Sequence, residues 1–83
     1  MKINYYPDTD PLYIHLSDRS SVESVEISEG VILDYDDSGS LVGIDIDNAS
    51  KKVQLKELIC NQLPIAVWGK NFTLNDRRAI ATF

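Results

Sequence analysis
Hydrophobic and polar residues alternate along most of the first fifty positions. Met1, Ile3 and Tyr5 alternate with Lys2, Asn4 and Tyr6, and Leu12, Ile14 and Leu16 with Tyr13, His15 and Ser17. A period of two on both sides of Pro7-Asp8-Thr9-Asp10-Pro11 predicts a β-hairpin. Proline presets φ and aspartate bonds its own backbone, so this segment suits the turn. Pairing Tyr5 with Leu12, Ile3 with Ile14 and Met1 with Leu16 puts every large aliphatic side chain on one face. A slip of one residue mixes the faces.

A second hairpin is expected from Val31–Asp36 and Leu41–Asp47 around Asp37-Ser38-Gly39-Ser40, where Gly39 can supply a positive φ. Pairing Tyr35 with Val42, Leu33 with Ile44 and Val31 with Ile46 gives an apolar face. Asp34, Asp36, Asp45 and Asp47 then share the opposite, wet face. Gly43, in mid-strand, marks a bulge or a close approach. Glu23-Ser24-Val25-Glu26-Ile27 alternates as a linking strand between the hairpins.

The period then changes. Leu55, Leu58, Ile59 and Leu63 fall at helical spacing, Ser50 suits an N-cap and Pro64 bars continuation, which predicts a helix over 51–63. Its apolar stripe would cover the apolar sheet face. Ile65-Ala66-Val67-Trp68 reads as a short strand. Thr73 and Asp76 have capping spacing for a last short helix, with a strand over Ala79–Phe83 as the alternative. The expected fold class is α+β: an antiparallel sheet of about four to five strands built from hairpins, with a C-terminal helix packed on one face. Residues 1–83 form a single domain in this reading, with 64–83 as a tail.

Length and charge narrow the function. At 83 residues the core is marginal, so a homo-oligomer is expected. Residues 1–50 carry eleven acids and only two bases, Lys2 and Arg19, a net charge of −9, whereas residues 51–83 carry +4. An acidic first part argues against its lying on nucleic acid, because phosphate contacts need Lys and Arg. The six bases of the second part are spread rather than clustered. No apolar run approaches the ~20 residues of a membrane helix, and Met1-Lys2-Ile3-Asn4 lacks the apolar stretch of a secretion signal. Cys60 is the sole cysteine, with no partner for a disulfide or a thiolate zinc site. A cytoplasmic protein is expected.

The order and spacing of several segments resemble a family of small bacterial proteins, the domain of unknown function 2283 (YuzE-like) family. The matching pieces are Tyr5 with Asp10, Leu12, Tyr13 and Ile14, then Glu23-Ser24-Val25-Glu26, then Gly30–Asp36, then Val42–Ile46 and Asn48-Ala49-Ser50. Pro11 stands where members more often carry a small residue. The resemblance covers about residues 1–50. It implies no established activity. Some members lie beside genes for small RNase toxins, which implies an antitoxin-like role.

Candidate chemistry is sparse. His15 is the only histidine and shares a face with Tyr6, Tyr13, Asn4 and Lys2, with no nucleophile or acid evidently placed beside it. The four aspartates of the wet face are spaced too widely along their strands to share one ion easily, since same-face neighbours lie about 7 Å apart. Asp34–Gly39 has the start of a Ca²⁺ loop but Asp45, not Glu, at its twelfth position. The four glycines form no phosphate-binding fingerprint. Cys60 reads as a small buried hydrophobe. No catalytic residue, metal site or cofactor is therefore assigned. The expected function is a protein-interaction module, the partner of a small basic protein, using Asp34, Asp36, Asp45 and Asp47 together with Trp68 and Phe72. The rivals are a small hydrolase or metal-dependent enzyme using His15 and nearby acids, and a nucleic-acid binder using the basic tail.

Overall fold
The structure, a computed structural model, describes residues 1–64 and the backbone of residues 78–82. The chain divides into two compact units, Met1–Lys52 and Val53–Phe83.

Unit one is an antiparallel sheet of five strands: β1 (Lys2–Tyr5), β2 (Leu12–His15), β3 (Glu23–Ser28), β4 (Val31–Tyr35) and β5 (Leu41–Ile46). Their order across the sheet is β1-β2-β5-β4-β3. Three hairpins, β1–β2, β3–β4 and β4–β5, supply the local pairings, and β2 joins β5 across the middle. Alternation dictates the register. Ile3, Ile14, Ile44, Leu33 and Val25 lie opposite one another in a row that crosses all five strands. Tyr5, Leu12, Ile46 and Val31 form the next row on the same face. Leu12, Val42 and Ala49 are buried, whereas Ile3, Ile14, Leu33 and Ile44 are half-buried.

The expected pairings Tyr5–Leu12, Ile3–Ile14, Leu33–Ile44 and Val31–Ile46 recur. Met1 and Leu16, expected as a pair, lie outside the paired strands β1 and β2. Tyr35 lies opposite Leu41 instead of Val42, because the register shifts between Asp34 and Tyr35. Val42 is the extra residue of the resulting bulge. It turns inward, 5% exposed, and its carbonyl accepts from Leu16 N at 2.9 Å.

Asp10 ties the β1–β2 turn to the chain that leaves β5. It sits at φ 67°, in the left-handed region that aspartate tolerates better than most residues. Its carboxylate accepts from Tyr5 Oη at 2.6 Å, from Ser50 Oγ at 2.7 Å and from Ser50 N at 3.1 Å. Its carbonyl accepts from Ala49 N at 2.8 Å. These donors hold the Asp10 carboxyl below its ordinary range, with Tyr5 the largest influence and Ser50 the next.

The helix expected over 51–63 is not there, so the α+β assignment is corrected to antiparallel β among the described residues. A three-residue 3₁₀ turn, Ala49–Lys51, follows β5. Ser50 lies inside that turn instead of ahead of a helix, and its backbone N–H and hydroxyl are both given to Asp10. Further on, Glu57–Asn61 is a strand, β6, paired antiparallel with β7 (Arg78–Thr82). Leu58 and Cys60 are half-buried, and Glu57, Ile59 and Asn61 are exposed. This short stretch fits a period of two as well as one of 3.6, and pairing with β7 decides between them. The alternative of a strand near Ala79–Phe83 matches β7. The readings of Ile65–Trp68 as a strand and of Thr73 and Asp76 as a cap lie outside the described residues.

Candidate functional site
One face of the five-stranded sheet is polar. Lys2, His15, Gly43, Asp34 and Ser24 form one row across it, and Asn4, Tyr13, Asp45, Ile32 and Glu26 the next. Asp34 lies opposite Gly43, and His15 shares this face with Tyr13, Asn4 and Lys2 as expected. Tyr6 packs edge-on against Tyr13, with ring centroids 5.8 Å apart.

The aspartates separate into different roles. Asp34 accepts from Ser24 Oγ at 2.6 Å. Gly43 has no side chain, and a Cβ placed there would come within 3.2 Å of Asp34 Oδ2. The Asp34 carboxylate therefore occupies the space above Gly43 and meets Asp45 on the diagonal. Burial raises the Asp45 carboxyl to about 6, and a hydrogen bond shared with Asp34, together with its charge, adds to the rise. His15's charge opposes it, and Asp47's reinforces it. Spacing along single strands concealed this pair, because the approach runs diagonally between strands. The signal in the sequence was the mid-strand Gly43.

Asp36 does not belong to the wet face. It is 5% exposed and organises the β4–β5 turn. One of its oxygens accepts from Ser38 Oγ at 2.7 Å, Ser40 N at 2.9 Å and Ser38 N at 3.0 Å. The other accepts from Arg19 at 3.0 Å, and that pair is a salt bridge. Ser38, Ser40 and Arg19 hold its carboxyl far below the usual range. An internal structural role replaces the partner-contact role expected for it. Asp47 is exposed, and its carbonyl accepts from Lys52 Nζ. Trp68 and Phe72 lie outside the described residues.

The sheet ends at β3, and every residue of Glu23–Ser28 is exposed. Val22, Val25 and Ile27 are 64%, 40% and 58% exposed. A groove of about 390 Å³ beside the β3–β4 turn is lined by Glu26, Glu29 and Asp47 but also by Lys51 and Lys52, so it favours neither sign of charge. Among the described residues, no three His, Cys, Asp or Glu side chains are placed to hold one metal ion. His15 is exposed and makes no hydrogen bond to another described side chain. No helix of the described residues is long and apolar enough to cross a membrane.

Comparison with known proteins matches residues 2–50 to the model of a family described as protein of unknown function (DUF2283). The matched segment is the five-stranded sheet with its Tyr5–Asp10–Ser50 tie. An uncharacterized protein of Methanocaldococcus jannaschii is 31% identical over 72 residues, covering 84% of this chain and 61% of the relative. The chain thus spans about three-fifths of the length of that relative. No solved structure matches.

Proposed function
The chain belongs to the DUF2283 family of proteins of unknown function, and on that footing we propose that it is a protein-interaction module, not an enzyme, whose partner is a small basic protein. The observation that carries this reading is charge placed on a sheet surface. Residues 1–50 hold eleven acids and two bases. One of those bases, Arg19, is already engaged by Asp36. Asp34 and Asp45 lie together on the polar face, with Glu26 in the row of Asp45 and Asp47 beyond the strand end. A surface of one sign draws a partner of the other and speeds encounter. Its specific form is an antitoxin-like role toward a small basic RNase, whose phosphate-binding groove these carboxylates would occupy in place of RNA. A second copy of the chain, through its basic part, is the self-association counterpart of the same attraction.

The test is recovery of a basic protein with the full chain from its native host, followed by association kinetics. Raising salt from ~50 to ~500 mM should slow association markedly, as screening removes steering between exposed charges. Asp34→Asn, Asp45→Asn and Asp47→Asn together should slow it comparably at low salt while the protein stays folded. Recovery of no protein partner, with catalytic turnover that is lost on His15→Ala, would overturn the reading.

A further inference from the structure
A five-stranded open sheet has two edges, and the two differ. The β1 edge is four residues long, carries Lys2 and runs into Pro7. Lysine, proline and short length are the usual means by which natural sheets blunt an edge. The β3 edge is six residues long, and no Lys, Arg or Pro occurs from Ser20 to Tyr35. Its single irregularity is the shift between Glu26 and Ser28, which leaves Glu23–Glu26 in regular pairing with β4. Among the described residues, none pairs with its outer side.

Resting on the reading of a basic partner, we propose that the outer edge of β3 is a strand-pairing site. It takes an extended segment of the partner in which Lys or Arg alternates with an apolar residue. Backbone groups on an open edge supply sequence-independent hydrogen bonds, and alternate side chains supply the choice of partner. Val25 ends the apolar row begun by Ile3, Ile14, Ile44 and Leu33, so a sixth strand would set an apolar residue beside it. Ser24 and Glu26 lie on the opposite face, in the rows of Asp34 and Asp45, where the incoming strand would set its cations. Glu23 begins the strand on the face of Val25, opposite Tyr35, and Glu29 follows the strand's last residue.

Charge also selects the occupant. Antiparallel pairing of β3 with β3 of a second copy would gather Glu23, Glu26 and Glu29 of both chains into one seam. Like charges facing one another across strands are destabilising. A basic strand instead meets Glu26 with a cation on its own face, while Glu23 and Glu29 add attraction from the two ends of β3.

The probe is a capped, fluorescent peptide of alternating Lys and Val, six residues long, titrated against the full chain. Its control carries N-methyl groups on alternate residues, which keeps charge and composition but removes the donors of one edge. Binding should weaken by about tenfold or more with the methylated peptide. A similar loss is expected with Glu23→Lys/Glu26→Lys, whose exposed sites leave the fold intact by circular dichroism. Amide exchange should slow in β3 and not in β1. Equal binding of the two peptides, protection elsewhere, or no binding would overturn the edge. A basic protein that still binds Glu23→Lys/Glu26→Lys but is lost on Asp34→Asn/Asp45→Asn would overturn the edge while leaving the broader function standing.

Discussion

The Asp10 carboxylate and Ser50, forty positions apart, are joined through both the hydroxyl and the backbone N–H of Ser50, at 2.7 and 3.1 Å. The same carboxylate holds the Tyr5 hydroxyl. Tyr5, Asp10 and Ser50 all belong to the segments that carry the family resemblance, so part of that pattern records closure of the fold rather than chemistry. Asp10→Ala should lower the urea midpoint more than Tyr5→Phe or Ser50→Ala, since it alone strands donors at both ends. Asp10→Asn should lose less, because asparagine keeps an acceptor and tolerates the left-handed backbone. Ser50→Ala added to Asp10→Ala should cost little further, the non-additivity expected of groups in one network. Additive losses would dissolve the tie.

Leu33 sits in mid-row between Val25 and Ile44. Leu33→Asp would set a carboxylate among aliphatic side chains. Removing a charge from water without a partner costs several kcal/mol, against a typical total of about 5–15 kcal/mol for a native protein. The expected outcome is an unfolded or severely weakened protein by urea melt. Asp34→Asn, one residue along on the other face, should keep the fold. A folded Leu33→Asp protein with an unchanged midpoint would reverse the assignment of faces.

Five strands, and most of the register of the β1–β2 and β4–β5 hairpins, are legible from alternation because each side chain has only two faces to choose from, whereas the pairings of β2 with β5 and of β3 with β4 are not. Ile3 with Ile14 and Leu33 with Ile44 follow at once. The bulge at Val42 is half legible, through Gly43 beside it, but which residue is extra depends on how the Asp36 turn closes. The roles of Asp10 and Asp36 are not legible. Their partners, Ser50 and Arg19, are set by tertiary approach rather than by local spacing. The pairing of Asp34 with Asp45 is hidden for the same reason. The strand at Glu57–Asn61 was obscured by Leu55, Leu58, Ile59 and Leu63, whose helical spacing is real but unused.

Leu58 and Ile59 distinguish the strand from the helix directly. A helical stripe would need both side chains inward. In β6, Leu58 is half-buried and Ile59 is 44% exposed. Ile59→Lys should therefore change stability little, as surface substitutions usually do. Leu58→Lys should destabilise the second unit by about 1–3 kcal/mol. Amide exchange at 57–61 reads both effects, and equal losses from the two substitutions would favour the helix.

Stability should pass through a maximum in mildly acidic solution. Asp45 has a native pKa of about 6 against an ordinary 3.8, chiefly because it is partly buried and secondarily because Asp34 shares its proton. The folded state therefore holds that proton more tightly than the unfolded chain. Its contribution is complete below about 3.8 and is lost as pH rises through about 6. Asp10 and Asp36 act in the opposite sense. Their carboxyls are lowered by hydrogen bonds from Tyr5, Ser50, Ser38 and Ser40 and by Arg19. Their contribution is present above the ordinary 3.8 and is lost as pH falls through their native values. Urea midpoints between pH 3 and 8 should accordingly peak near pH 4, decline between about 4 and 6 and level off above, with a second decline on the acid side below about 3.8. Asp45→Asn should flatten the decline on the alkaline side and leave the acid side unchanged. Asp34→Asn should lower the Asp45 pKa without restoring it fully, since it removes a neighbouring charge and leaves the burial in place. Carboxyl-carbon titration by NMR reads that shift. A midpoint that climbs steadily from pH 5 to 7 would show that Asp45 is not held protonated by the fold.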